Sequence, residues 1–323
     1  MSHGLPAWLS AAIAARLEGV SRQKLAIASS AITEAYRSGA GSKTHVTDDL
    51  RVAAYLAARL PATYAAVSAA LERLIEHAPD FAPESVLDIG AGPGTASFAA
   101  VDALPSLMRS ILRDHNRSFL DIARELTAAS PIEALRDADI GEAELTARGA
   151  LPRADLLIAA YMLVEVAEVA LPSLVERFWQ SSNEVLLLVE PGTPEGFRRI
   201  RLAREWLLEA GAHILAPCTH ALTCPMIGED WCHFSVRLPR SRDHRAIKQA
   251  DVPFEDERFC YLAVSRQLAA VTADARILAP PHESKPGIAF KLCRDGKVEE
   301  RFVPTRDKAD YRAVRQLGWG DAV

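Results

Sequence analysis

Cys218, Cys224 and Cys232 fall within fifteen residues in the stretch PCTHALTCPMIGEDWCHF, residues 217–234, and they are three of only five cysteines in the chain. Thiolates bind soft and borderline metals, so their gathering beside His220 and His233 points to metal chemistry. The spacing, C-x5-C-x7-C, is too loose for the C-x2-C of a zinc knuckle. It also differs from the compact ferredoxin run and from the C-x3-C-x2-C of radical methyl-donor enzymes. A fold can still close such loops around a metal when it supplies the geometry. A fourth ligand is then needed, and Cys260 in ERFCYLAV and Cys293 in FKLCRDG are the choices. Cys260 alternates within an apolar strand pattern and reads as a small buried hydrophobe. Cys293 precedes an Asp-Gly turn and can face out of a strand end. His220 and His233 are zinc-compatible substitutes. The spacing favours metal binding over coincidence and leaves iron–sulfur and zinc both open.

A second constellation lies upstream. VLDIGAGPGT places Asp88, Gly90, Gly92 and Gly94 where an apolar run ends, and glycines there let the backbone turn tightly and approach a ligand closely. The pattern is D-x-G-x-G-x-G, not the G-x-G-x-x-G of a dinucleotide fingerprint. It suits S-adenosylmethionine, which has no pyrophosphate for a helix N-terminus to hold. Asp114, twenty residues past Gly94, stands where a carboxylate should meet the ribose hydroxyls, and Asp139 in RDADIG is the adenine-side candidate. Methyl transfer is an in-line displacement in which positioning supplies much of the rate. The rim segment AAYMLVEV has no Asn-Pro-Pro-Tyr-type element and no cysteine nucleophile. Tyr161 and Glu165 are its only polar candidates for catalysis, and packing or capping are the roles also open to them.

These residues need a scaffold. Residues 1–80 are rich in Ala, Leu and Arg with apolar positions at three-and-four spacing, the pattern of helices, and Pro61 is placed to start one. From residue 85 the texture changes. SVLDI, ADLLIAAYML and EVLLLVEP read as buried strands, alternating with helical SFLDIARELTAA, ALPSLVERFWQSS and GFRRIRLAREWLLEAG. That alternation predicts an α/β doubly wound sheet. FEDERFCYLAVSR adds a late strand. The organisation expected is a helical region over 1–80, a sheet domain over 81–270 with a metal-binding insertion at about 215–250, and a β-rich extension over 271–323.

The formal charge of −5 excludes a wholesale basic surface. Residues 201–323 nonetheless hold 19 Lys and Arg against 17 Asp and Glu, and RLPRSRDHRAIK follows the cysteines directly. Such a segment either meets phosphates or is a solvated loop. Charged residues or proline interrupt every apolar run, so no membrane partner is expected. The odd cysteine count argues against a secreted disulfide framework.

Several segments together resemble one family: RLPATYAAV, VLDIGAGPGTASFAA, AAYMLVEV, VEPGTPEGF, CTHALTCPMIGEDWCHFSVRL, FEDERFCYLAVSR and LGWGD. They are similar to the methyltransferase-like proteins of the small ribosomal subunit, the Rsm-twenty-two family, known from mitochondria and present in bacteria. The resemblance implies a class I S-adenosylmethionine-dependent methyltransferase fold and a [4Fe–4S] cluster on Cys218, Cys224, Cys232 and Cys293. It implies small-subunit ribosomal RNA as partner during assembly, and a monomer off the ribosome. Val164 stands where the family usually shows Asn, which sets methyl transfer against a purely assembly-related role. The early start of the family-like helices points first to a bacterial cytoplasm and second to a mitochondrial matrix.

Overall fold

The computed structural model describes residues 3–37, 46, 48–144 and 149–323. Among the described residues, the helices α1 Ala7–Leu17, α2 Arg22–Arg37, α3 Asp49–Ala58 and α4 Leu60–His77 come first; positions 1–2, 38–45 and 47 of that helical region lie outside the described residues. Asp48 caps α3 by accepting the Arg51 N–H at 2.9 Å, and Pro61 sits in the first turn of α4, where its missing N–H costs nothing. Leu60, Tyr64, Val67, Leu71 and Leu74 line the buried face of α4.

The sheet region follows as β1 Ser85–Ile89, α5 Thr95–Ala103, β2 Arg109–Asp114, α6 Arg117–Ala128, α7 Glu133–Arg136, β3 Asp139–Glu142 and β4 Ala154–Ala160. It continues with α8 Leu171–Ser181, β5 Ser182–Pro191, α9 Pro194–Glu209, β6 His213–Ala216, β7 Phe234–Pro239, α10 Arg242–Lys248 and β8 Phe254–Ser265. The strand order is β3-β2-β1-β4-β5-β8-β6. β1 to β5 are parallel and β8 runs against both β5 and β6. This is the sheet of a class I methyltransferase, as the strand–helix alternation and the family motifs led us to expect.

Side chains alternate across a strand, and the central strands use both faces. Val86, Leu156, Ile158, Val185 and Leu187 join a core shared with α1 to α4. Leu87, Ile89, Leu157, Leu186 and Leu188 join a second core with α8 and α9. Apolar residues on both faces explain why these strands read as continuous hydrophobic runs.

β6 and β7 pair end to end with one edge of β8, at residues 263–265 and 254–259. Residues 217–233 therefore leave and rejoin the same sheet edge, which suspends three cysteines beside it. A second sheet holds β9 Ala275–Ile277, β10 His282–Ser284, β11 Gly287–Arg294 and β12 Lys297–Pro304, followed by α11 Lys308–Val314. It has its own core of Ile277, Ile288, Phe290, Leu292, Val303 and Val314. Among the described residues no helix is long and apolar enough to cross a membrane.

Candidate functional site

The carboxyl ends of parallel strands gather the first constellation, as open α/β sheets do. Gly90, Gly92 and Gly94 follow β1 with φ of 67°, 54° and 93°, a region open to glycine at little cost. A Cβ on Gly90 would lie 2.9 Å from Cβ of Met162, so this loop presses against the segment after β4. Asp114 ends β2. Its Oδ2 accepts the Gly92 N–H at 2.8 Å and its Oδ1 the Asn116 N–H at 2.7 Å. Burial raises its pKa. Each carboxylate oxygen keeps accepting capacity beyond one amide, so Asp114 fixes the glycine loop while still facing the cleft edge.

Asp88 is turned inward. Its Oδ2 accepts both the backbone N–H and the hydroxyl of Ser97, at 2.9 Å each, tying β1 to α5. Asp88 thus supports the loop from the protein interior. Asp139 lies elsewhere on the sheet. It is the first residue of β3, level with Ile111, while Glu142 lies level with Asp114 at the carboxyl edge. Asp139 is also exposed and ion-paired to Arg113 at 2.7 Å. Glu142, at the carboxyl edge, accepts from Arg117 Nε at 2.9 Å. Four residues without an apolar run gave no sign of where β3 began.

After β4, Tyr161 adopts φ of 58°, uncommon for a residue with a side chain. Its hydroxyl donates to Glu257 Oε1 at 2.9 Å, and the Arg59 guanidinium lies 3.6 Å from the same carboxylate. Glu165 closes the 3-10 turn Leu163–Glu165, near enough to Tyr55 and Glu190 for its charge to act on both. The residue that sequence reasoning missed is Glu190, the fully buried carboxyl near the end of β5. It accepts the N–H groups of Met162 at 3.0 Å, Leu163 at 2.7 Å and Val164 at 3.4 Å. The segment facing the glycine loop is held in place by this one side chain.

Burial pushes the Glu190 carboxyl up to about 8 and the Asp88 carboxyl up to about 7. Unfolded, both groups lose their protons near pH 4. Between those values the folded chain binds more protons than the unfolded one, so stability falls as pH rises. The loss is at most about 1.4 kcal/mol per pH unit for each group. Urea unfolding at pH 5.5 and pH 8 should show the decline, and Glu190→Gln should flatten its upper part.

The second constellation converges on one cavity of about 40 Å³ lined by Cys218, Cys224, Cys232, Cys260 and Cys293. All five are free thiols. Cys260 is the exception in chemistry, since its Sγ–H donates to the carbonyl of Pro191 at 3.2 Å. Burial pushes the Cys293 thiol up to about 12, with Cys218 and Cys224 adding to the rise. Cys232 is raised well above its usual value by burial and by the other three. Four thiols thus act on one another, and metal binding here must displace protons. His220 Nε2 lies 3.4 Å from Cys293 Sγ. His233 instead stacks on Trp231 and meets Trp319 edge-on.

Among the described residues, no three His, Cys, Asp or Glu groups are placed to hold a single metal ion. A lone zinc draws its thiolates to about 2.3 Å, whereas a cluster's own atoms stand between its ligands. Two buried donors in the cavity wall, Arg204 Nε and the Tyr261 hydroxyl, have no partner. Such donors call for an occupant that accepts hydrogen bonds. The four thiols Cys218, Cys224, Cys232 and Cys293 and these donors fit an anionic occupant.

The basic segment is largely answered by β8. Arg237 makes two bonds to Asp256, at 2.7 and 2.9 Å, and Arg240 meets Glu255 at 3.3 Å. Arg237 and Asp256 are cross-strand neighbours, and the two pairs leave less free charge than the sequence alone implies.

Comparison with known proteins places this geometry. The model of the family described as mitochondrial small ribosomal subunit Rsm22 matches residues 49–323. The human "Ribosome assembly protein METTL17, mitochondrial" is 26% identical over 293 residues, covering 83% of this chain and 61% of that protein. The Schizosaccharomyces pombe "Rsm22-cox11 tandem protein 2, mitochondrial" is 24% identical over 331 residues, covering 86% and 44%. The chain thus spans about half the length of the curated relatives it matches. Among solved structures, a precorrin-6y C5,15-methyltransferase from Geobacter metallireducens aligns with TM-score 0.40 and 16% identity, over 62% of this chain and 86% of that one. Magnesium protoporphyrin IX methyltransferase from Synechocystis with bound S-adenosylmethionine aligns with TM-score 0.39 and 13% identity, over 64% and 80%. The strand order, not these similarities, defines the fold.

Proposed function

The chain belongs to the mitochondrial small ribosomal subunit Rsm22 family, and on that premise we propose that it is a methyltransferase-like ribosome-assembly protein that binds S-adenosylmethionine and small-subunit ribosomal RNA, with a structural [4Fe–4S] cluster. The observation that carries the donor half is the positive-φ glycine loop pinned by Asp114 at the carboxyl edge. When bound, S-adenosylmethionine supplies an electrophilic methyl group. Asp114 would hold the ribose, Glu142 would face the adenine side, and the loop backbone would line the donor.

When bound, the cluster supplies a cross-link, because four thiolates leave no open iron site. Cys218, Cys224, Cys232 and Cys293 would hold it, with Cys260 left as a buried thiol. Zinc on the same thiolates is the alternative occupant. Tyr161 and Glu165 remain the candidates at the acceptor rim. A second reading, donor binding without turnover, is favoured by the Tyr161 hydroxyl being engaged by Glu257 and by Val164 at the family's Asn position. Both readings place a monomer where small subunits are assembled, in a bacterial cytoplasm or a mitochondrial matrix. The relatives' names support the matrix.

Two measurements test this. Asp114→Ala should weaken S-adenosylmethionine binding about tenfold to a hundredfold by calorimetry, the loss of a charge-assisted bond worth about 1.5–3 kcal/mol. Unchanged affinity would overturn the donor assignment. Labelled methyl transfer to small-subunit assembly intermediates, compared with an Asp114→Ala control, then separates the two readings.

A further inference from the structure

We propose that Arg276 and Arg204 are fixed counter-charges for the anionic group held by the four thiolates, and that they set how readily that group accepts an electron. The inference rests on the iron–sulfur reading above.

Arg276 is 1% exposed. It lies on β9 directly opposite Cys293 in the antiparallel ladder with β11, and residues so paired project from the same face. Its guanidinium donates to the Pro217 carbonyl at 2.8 Å, the Gly320 carbonyl at 2.9 Å and His77 Nε2 at 2.8 Å. His77 Nδ1 sits 2.8 Å from the Val271 carbonyl, so Nδ1 carries the proton and Nε2 is a neutral acceptor. All three partners are uncharged. Arg204, on α9, is 3% exposed. It donates to the carbonyls of His220 at 3.0 Å and Leu222 at 2.8 Å, and its Nε–H has no partner.

Neither guanidinium is paired with a carboxylate among the described residues. A buried, uncompensated charge is strongly destabilising. Two of them in the wall of one cavity require an anion inside it. The four thiolates and their cluster carry net negative charge and meet that need. Cluster potentials respond to local charge and hydrogen bonding to sulfur. One-electron reduction adds a negative charge, so each fixed cation favours the reduced form.

The test uses full-length chain purified without oxygen and titrated with dithionite, the electron donor, while the reduced cluster is followed by electron paramagnetic resonance. Arg276→Gln should shift the midpoint potential downward at equal iron content. Arg276→Lys keeps the charge and loses the three-way hydrogen bonding, so its potential should stay near that of the wild type while its melting temperature falls. A purely structural role would lower both melting temperatures and move neither potential. Should Arg276→Gln fail to fold, Arg204→Gln provides the same readout, with a downward shift expected. An unchanged potential in the iron-loaded Gln variants would overturn this inference alone. Iron-free wild-type protein would overturn the cluster reading and this inference together.

Discussion

Cys293→Ser protein, purified without oxygen, should lose most of its iron and should release the C-terminal sheet from the cysteine loop. Cys293 sits on β11 of the second sheet, whereas Cys218, Cys224 and Cys232 hang from the edge of the first. A group bound by all four joins two sheets, the second of which already sends Cys293 into a core of the first. Structural metal sites contribute roughly 10 kcal/mol or more to the folding of small domains. Losing one of four ligands should therefore cost several kcal/mol, on the order of 5. Hydrogen exchange should show amides of 217–233 and 275–304 opening together. Cys260→Ser is the control, since serine can keep the bond to the Pro191 carbonyl and iron should stay. A Cys293→Ser variant with full iron content would contradict the ligand set.

Glu190→Ala should be the most damaging single change at the donor side. The substitution strips three N–H groups of their acceptor at residues 162–164, and Met162 and Leu163 are themselves buried. Each unpaired buried amide costs about 1–3 kcal/mol, and the emptied volume adds to that. We expect a loss of about 3–5 kcal/mol. For a chain of this size, that lowers the melting temperature by about 10 °C. The segment after β4 then no longer braces Gly90, so S-adenosylmethionine affinity should fall with stability. Glu190→Gln retains one oxygen for Met162 and Leu163 and should lose far less. Equal stability of Glu190→Ala and wild type, from urea unfolding, would refute the bracing role.

Local signals in the sequence were reliable where the structure uses them locally. The glycine loop, the apolar strands and Pro61 at the head of α4 each depend on neighbours a few residues away. The place of Asp139 was not legible because β3 is a four-residue edge strand with little apolar content, so only its pairing with β2 shows which residue lies level with Asp114. Glu190 was unread because its partners lie 26–28 residues upstream, on a loop that the sheet folds back. Arg276 reaches His77 across 199 residues, and no window of sequence contains both. The basic run looked free because the partners of Arg237 and Arg240, Asp256 and Glu255, stand on β8, further along the chain. β7 itself was legible, with Phe234, Val236 and Leu238 alternating inward.

The central claim is that four cysteines from two sheets hold one iron–sulfur group against a methyltransferase core. Metal analysis and an absorption spectrum of anaerobically purified protein test it most directly. The account predicts brown protein with about four irons and about four labile sulfides, absorbing broadly near 400 nm. Colourless protein carrying about one zinc, or none of these metals, would contradict it.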